Sequence, residues 1–192
     1  MQPGARIGPN AVLQHVPVLD AALGERLRGA LMHRAGVAVP PPDCGMLPEA
    51  EVIPLHRAVW LFVPDRAESI QRAAGLAVGE YILANRIPRL AKALIRALPA
   101  ALGARLLSTA IAKHAWTFAG SGVFTIASHH PLTFCIAQNP LAVGPPHPSC
   151  HWHAAVFERL FQRLVWPEAH VTETTCCATG EGVCTFRIHS HP

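Results

Sequence analysis

Residues 171–189 read VTETTCCATGEGVCTFRIH. Valine, threonine and aromatic residues flank Thr179-Gly180-Glu181-Gly182, so the pattern predicts a β-hairpin with strands over Val171 to Ala178 and Val183 to His189. The same stretch carries Glu173, Cys176, Cys177 and Cys184. Cys176 and Cys184 are expected to face one another across the hairpin, and Glu173 can join them if the strand bends or bulges. On the far side, Cys150 opens an amphipathic helix, where the unpaired first-turn N–H groups favour a thiolate.

Cys150, Glu173, Cys176 and Cys184 therefore form a candidate zinc set, since structural zinc is four-coordinate and prefers cysteine sulfur with a histidine or carboxylate completing the number. Cys177, next along the strand, is expected on the other face, and His151 or His153 is the alternative to the carboxylate. Ordinary buried thiols are the plain structural alternative, because cysteine packs as a small hydrophobe. A Cys176–Cys184 disulfide is another. Met1 to Asn10 lacks a basic start followed by an apolar run, so a reducing cytoplasm and free thiols are expected.

Upstream of the hairpin the chain reads as helices, then strands, then a helix. Leu13, Val16, Leu23, Leu27, Ala30 and Leu31 keep a helical rhythm up to Gly36, with Pro17 as a candidate kink. Further helices are expected over Glu49 to Phe62, from Pro64-Asp65 onward with Ile70, Ala73, Ala74, Ala77, Tyr81 and Ile82 on one side, from Pro88 to Leu98, and over Ala100 to Trp116 with Leu102, Leu106, Leu107, Ala110 and Ile111 inward. The period then becomes two. Val123 to Ile126 and Leu132 to Ile136 form a hairpin around His129-His130-Pro131, a Pro-rich loop covers Asn139 to Ser149, and helix Cys150 to Val165 buries Phe157, Leu160, Phe161 and Leu164. This order predicts an α+β fold, helices packed on a small antiparallel sheet. One domain over 1–192 is expected, with a helical part to about 119 and a hairpin-bearing part from about 120 to 192.

The formal charge is +4 with 15% charged residues, a modest basic excess that does not make a nucleic-acid footprint. Hydrophobic residues reach 51%, yet Pro, Gly, Arg or His interrupts every apolar stretch before the ~20 residues of a membrane span. Association with a membrane surface stays open. From His114 through Phe157 there is no Asp, Glu, Lys or Arg, while Trp116, Phe118, Phe124, Phe134 and Trp152 fall in this stretch. Such a segment suits a core with a dry subunit interface, or a pocket for a large, flat, apolar ligand.

Ile7-Gly8-Pro9-Asn10-Ala11, the run His114 to Gly122, Cys150-His151-Trp152-His153 and Glu173-x-x-Cys176-Cys177 followed by Gly180 and Cys184-Thr185-Phe186 together resemble the bacteriochlorophyll-biosynthesis 4-vinyl reductases. The resemblance covers nearly the whole chain. Its C-terminal half is similar to the vinyl-4-reductase domain, which also serves as the sensory module of aromatic-responsive bacterial regulators and shares a fold with a vesicle-tethering subunit family. In those regulators an earlier cysteine with E-x-x-C and a later cysteine is associated with zinc; the pattern falls here on Cys150, Glu173, Cys176 and Cys184.

The resemblance implies a place in tetrapyrrole pigment synthesis, in the cytoplasm or peripherally at the photosynthetic membrane. The expected ligand is a magnesium tetrapyrrole of the protochlorophyllide type, with Trp116, Phe118, Phe134 and Trp152 around it, His114 as axial ligand, and Arg86 or Arg89 on its propionate. Reduction of a vinyl group needs a hydride and a proton, normally from a nicotinamide or flavin on a recognisable fold. No strand–GxGxxG–helix unit occurs, Gly120-Ser121-Gly122 follows a helix, and the cysteines lack ferredoxin-type spacing. A tetrapyrrole carrier or accessory protein is thus favoured. A vinyl reductase of divinyl protochlorophyllide fed by an external donor is the alternative, and a zinc-stabilised dimeric sensor or scaffold is the third reading. The expected partners are the pigment, a second copy of the chain and neighbouring pigment-synthesis enzymes, with no nucleic acid.

Overall fold

The computed structural model describes residues 4–191, so the first three residues of the Met1 to Asn10 stretch lie outside the described residues. Strands β1 (Arg6–Ile7) and β2 (Leu47–Pro48) pair as a short ribbon, and the main sheet contains β3 (Val123–His129), β4 (Leu132–Ala137), β5 (His170–Thr175) and β6 (Val183–His189). Its order is β3-β4-β6-β5 and every pairing is antiparallel. The helices are α1 (Asn10–Leu13), α2 (His15–Leu23), α3 (Glu25–Ala35), α4 (Glu49–Phe62), α5 (Pro64–Asn85), α6 (Arg89–Ala97), α7 (Ala100–Lys113) and α8 (His151–Leu164). The α+β architecture is as the sequence predicts.

Helix α8 organises the interior. Nearly every residue from Trp152 to Leu164 is buried, because one side meets α5 and another meets the sheet. Against α5 the contact is close. A Cβ on Gly75 would come within 2.8 Å of the Ala155 Cβ, and one on Gly79 within 2.7 Å of the Arg159 Cβ. Against the sheet, Phe157 lies edge-on to Phe134 at 5.2 Å and to Phe186 at 5.5 Å between ring centres. Such edge-to-face pairs each add about 1 kcal/mol beyond area burial. Buried Glu158 interrupts this apolar packing but is paired: it accepts from Arg72 at 2.5 Å and from the Val171 N–H at 3.1 Å.

Several local expectations change. The first helical run breaks at Gly24, whose φ of 84° suits only glycine, while Pro17 sits in the first turn of α2, where its missing N–H costs nothing. Gly36 ends α3 at φ 67°, as its position suggests. On α5 the buried stripe is Ala67, Ile70, Gln71, Ala74, Gly75, Val78, Gly79 and Leu83, rotated from the apolar side read in sequence because glycines permit the approach of α8. Helix α7 stops at Lys113 and buries Gly103, Ala104, Leu107, Ser108 and Ile111; Leu102 and Leu106 are exposed. The first strand of the last hairpin ends at Thr175, and residues Cys177–Thr179 turn as a 3-10 segment instead of continuing to Ala178. Among the described residues, no helix is long and apolar enough to cross a membrane.

Candidate metal centre

Four chain segments converge at one end of the sheet. Cys150 is the residue before α8, Cys184 lies on β6 opposite Ile136, Cys176 follows β5, and Glu173 stands on β5 just before an irregularity in its pairing with β6. That bulge, between Glu173 and Thr175, shifts the register so that Thr175 pairs with Thr185. It carries Cys176 out of the strand and turns it toward Cys184, so the two do not face as a cross-strand pair.

The ligand atoms of Cys150, Glu173, Cys176 and Cys184 all lie within 4.8 Å of one another. The Sγ atoms are separated by 3.7 Å (Cys150–Cys176), 3.5 Å (Cys150–Cys184) and 3.9 Å (Cys176–Cys184). A tetrahedral zinc with Zn–S near 2.3 Å sets sulfurs about 3.8 Å apart. A disulfide needs about 2.05 Å, so all three sulfurs are free thiols. Glu173 Oε2 accepts from the Cys150 N–H at 2.7 Å, whereas buried Oε1 has no partner among the described residues. Three sulfurs and one orphaned carboxylate oxygen fit a divalent, thiophilic cation.

The electrostatics agree. Contacts from Cys150 and Cys184 hold the Cys176 thiol far below its ordinary range, and contact with Cys176 holds Cys150 well above it. The Cys150 contact lowers Cys184, but Cys176 and burial together outweigh it, leaving Cys184 raised. Burial pushes the Glu173 carboxyl up to about 7, against the pull of the Cys150 N–H. One sulfur thus takes the negative charge readily while its neighbours resist; a divalent cation is what lets all of them ionise together.

The surroundings hold residues the sequence did not single out. Buried Asn139 directs its Nδ2 at the sulfurs of Cys150 and Cys184, each at 3.5 Å, and its Oδ1 accepts from the Leu141 N–H at 3.1 Å. The Cys177 N–H donates to the Cys184 sulfur at 3.3 Å, so Cys177 contributes its backbone while its own thiol meets the Ile136 carbonyl at 3.8 Å. The only sequence hint of Asn139 was an amide in an otherwise Pro-rich loop, following Gln138 at a positive φ of 51°. His153 lies behind Asn139, 3.5 Å from its Nδ2, and His151 turns toward Glu68 at 3.8 Å; neither takes the carboxylate's place.

The residues read as surrounding a pigment are divided between interior and surface. Phe134 and Trp152 are buried and Phe118 is half-buried against Phe124 and Phe157. Trp116 is 60% exposed, His114 is exposed at the C-terminus of α7, and Arg86 and Arg89 are exposed at the α5–α6 junction. Much of the uncharged segment fills the space between α8 and the sheet.

The vinyl-4-reductase domain matches residues 133–190, which contain all four clustered ligands. The chain is 58% identical over 185 residues to the "Bacteriochlorophyll synthase 23 kDa chain" of Cereibacter sphaeroides, covering 95% of this chain and 90% of that protein. It is 56% identical over 185 residues to the protein of the same name from Rhodobacter capsulatus, covering 96% and 87%. Among solved structures, an H-NOX protein from S. oneidensis in the Fe(II)NO ligation state aligns over 95% of this chain and 98% of that one, with a TM-score of 0.52 at 11% identity. A mutant of an H-NOX protein from S. oneidensis in the Fe(II) state gives the same score over 95% of both chains. At that identity the likeness is one of fold. The chain belongs to the family of the bacteriochlorophyll synthase 23 kDa chains and carries the vinyl-4-reductase domain.

Proposed function

We propose that this chain works in bacteriochlorophyll biosynthesis as a zinc-stabilised accessory protein that binds a magnesium tetrapyrrole and passes it to a pigment-synthesis enzyme. The pathway follows from its relatives' name. The observation that favours a binding role is the ligand cluster: Cys150, Glu173, Cys176 and Cys184 supply a full set of four protein donors. A catalytic zinc keeps a position open for water or substrate, whereas a closed set is structural.

Zinc bound there would supply cross-linking and charge neutralisation. The chain's residues do the rest. Cys150 fixes the start of α8, Cys184 fixes β6, and Cys176 with Glu173 fixes the bulged end of β5, so one ion ties the central helix to the sheet. The Cys150 N–H orients Glu173, and Asn139 and the Cys177 N–H stabilise negative charge on the sulfurs. Exposed Leu90 and Leu94 on α6, beside Arg89, offer a surface for the second copy or the membrane expected from sequence.

The test is a spectral titration of the purified, metal-analysed protein with divinyl protochlorophyllide. A saturable shift at one pigment per chain supports the reading. An unshifted spectrum, with pigment and protein separating on gel filtration, overturns it.

A further inference from the structure

A cavity of about 460 Å³ opens at the other end of β6, where Ile188 lies four residues beyond Cys184. That separation is roughly 13 Å along a strand. Leu132, Ile188 and Trp166 form its apolar wall. Leu132 and Ile188 are buried, and the Trp166 ring is held flat by stacking on Phe161 at 5.6 Å with 16° between planes. Helix α7 contributes the small side chain of Ala104 and, exposed at the rim, Arg105.

The polar groups of this cavity are unusual in kind. His129 and His130, at the β3–β4 turn, and His189 on β6 all line it. His189 is already engaged: its ring stacks on His170 at 4.4 Å and its Nε2 meets the Thr172 hydroxyl at 2.9 Å. Among the described residues, the rings of His129 and His130 make no hydrogen bond, and Arg105 makes no ion pair. A flat apolar wall, free imidazoles and a free guanidinium are three different demands. An aromatic macrocycle with a central metal and a carboxylate side arm meets them all. Its faces match the wall, a neutral imidazole nitrogen ligates the metal, and guanidinium binds carboxylate through a two-pronged contact.

We propose that this cavity is the seat of the magnesium tetrapyrrole, with the macrocycle against Trp166, Leu132 and Ile188, an imidazole of the His129-His130 turn on the magnesium, and Arg105 on a ring carboxylate. The assignment rests on the pigment-binding reading above and moves the axial and carboxylate roles away from His114, Arg86 and Arg89. It also gives the metal cluster a purpose, since the same β6 that Cys184 anchors supplies the cavity wall through Ile188.

The experiment titrates the full metal-loaded chain with magnesium protoporphyrin, metal-free protoporphyrin and the dimethyl ester of the metal-free form, following absorption. In His129→Ala/His130→Ala the Kd for the magnesium form should rise about tenfold or more while that for the metal-free form stays within about twofold. Arg105→Ala should weaken the free acid about tenfold and leave the ester unchanged. Ala104→Trp should block all three, and His114→Ala should change none. The hairpin and Arg105 positions are exposed, so their variants decide the matter even if Ala104→Trp fails to fold. A wild type that binds porphyrin with affinities indifferent to the hairpin and Arg105 substitutions overturns this seat and leaves pigment binding standing. A wild type that binds none of the three overturns the pigment-binding reading itself.

Discussion

The backbone N–H of Cys150 donates to Glu173 Oε2 at 2.7 Å, across the gap between the start of α8 and the bulged strand β5. That one bond holds the carboxylate so that its other oxygen, buried and without a partner among the described residues, joins three sulfurs lying 3.5 to 3.9 Å apart.

Glu173→Gln keeps an oxygen for the Cys150 N–H and removes the anionic donor. The fold should persist, while zinc affinity, measured by competition with a chromophoric chelator, should drop at least about tenfold. Equal affinity in the variant would take Glu173 out of the ligand set.

Cys184→Ser should release the metal and destabilise the chain by about 3 kcal/mol or more, because metal binding contributes directly to folding. Cys44→Ser, at a half-buried thiol outside the cluster, should leave both unchanged. Urea denaturation with metal analysis of the folded fraction checks both variants.

Gly75→Ala would gain about 1 kcal/mol of helix propensity on an isolated helix. Here the added methyl meets the Trp152 carbonyl and, at 2.8 Å, the Ala155 Cβ, so α5 and α8 must separate. Net destabilisation of about 2 kcal/mol is expected by thermal melting; a stabilised variant would contradict the helix contact.

Burial holds His15 down at about 4 and His56 well below its ordinary range, with their rings 4.7 Å apart. The unfolded chain titrates these residues near 6.5 and so binds more protons between that value and the folded ones. Their stabilisation is complete above about pH 6.5 and is lost as pH falls toward 4, at about 1.4 kcal/mol per pH unit for each histidine. His56→Phe should make the slope of unfolding free energy against pH shallower by one such increment. An unaltered slope would mean that His56 is protonated in the folded state.

The cysteine spacing and the hairpin made the ligand cluster legible, and the need for a bulge beside Glu173 followed from geometry alone. Helix starts at Pro64 and after Pro88, and the stop at Gly36, were legible because proline and glycine restrict the backbone locally. Tertiary decisions were not. Leu102 and Leu106 look like core residues, but Gly103 brings α7 so close to the Ile95 carbonyl that the small-residue face packs inward. His114 and Trp116 share an uncharged run with Phe134, yet α7 ends at Lys113 and leaves them outside while β4 carries Phe134 into the core. Asn139 was missed because a loop amide shows its partners only when Cys150 and Cys184 are brought together.

The most direct test of the central claim is anaerobic incubation of the metal-loaded protein with divinyl protochlorophyllide, with and without NADPH, followed by chromatography of the pigment. The account predicts pigment bound to the chain with its vinyl group intact under both conditions. Conversion to the ethyl product by this chain alone would contradict it and make the protein a reductase.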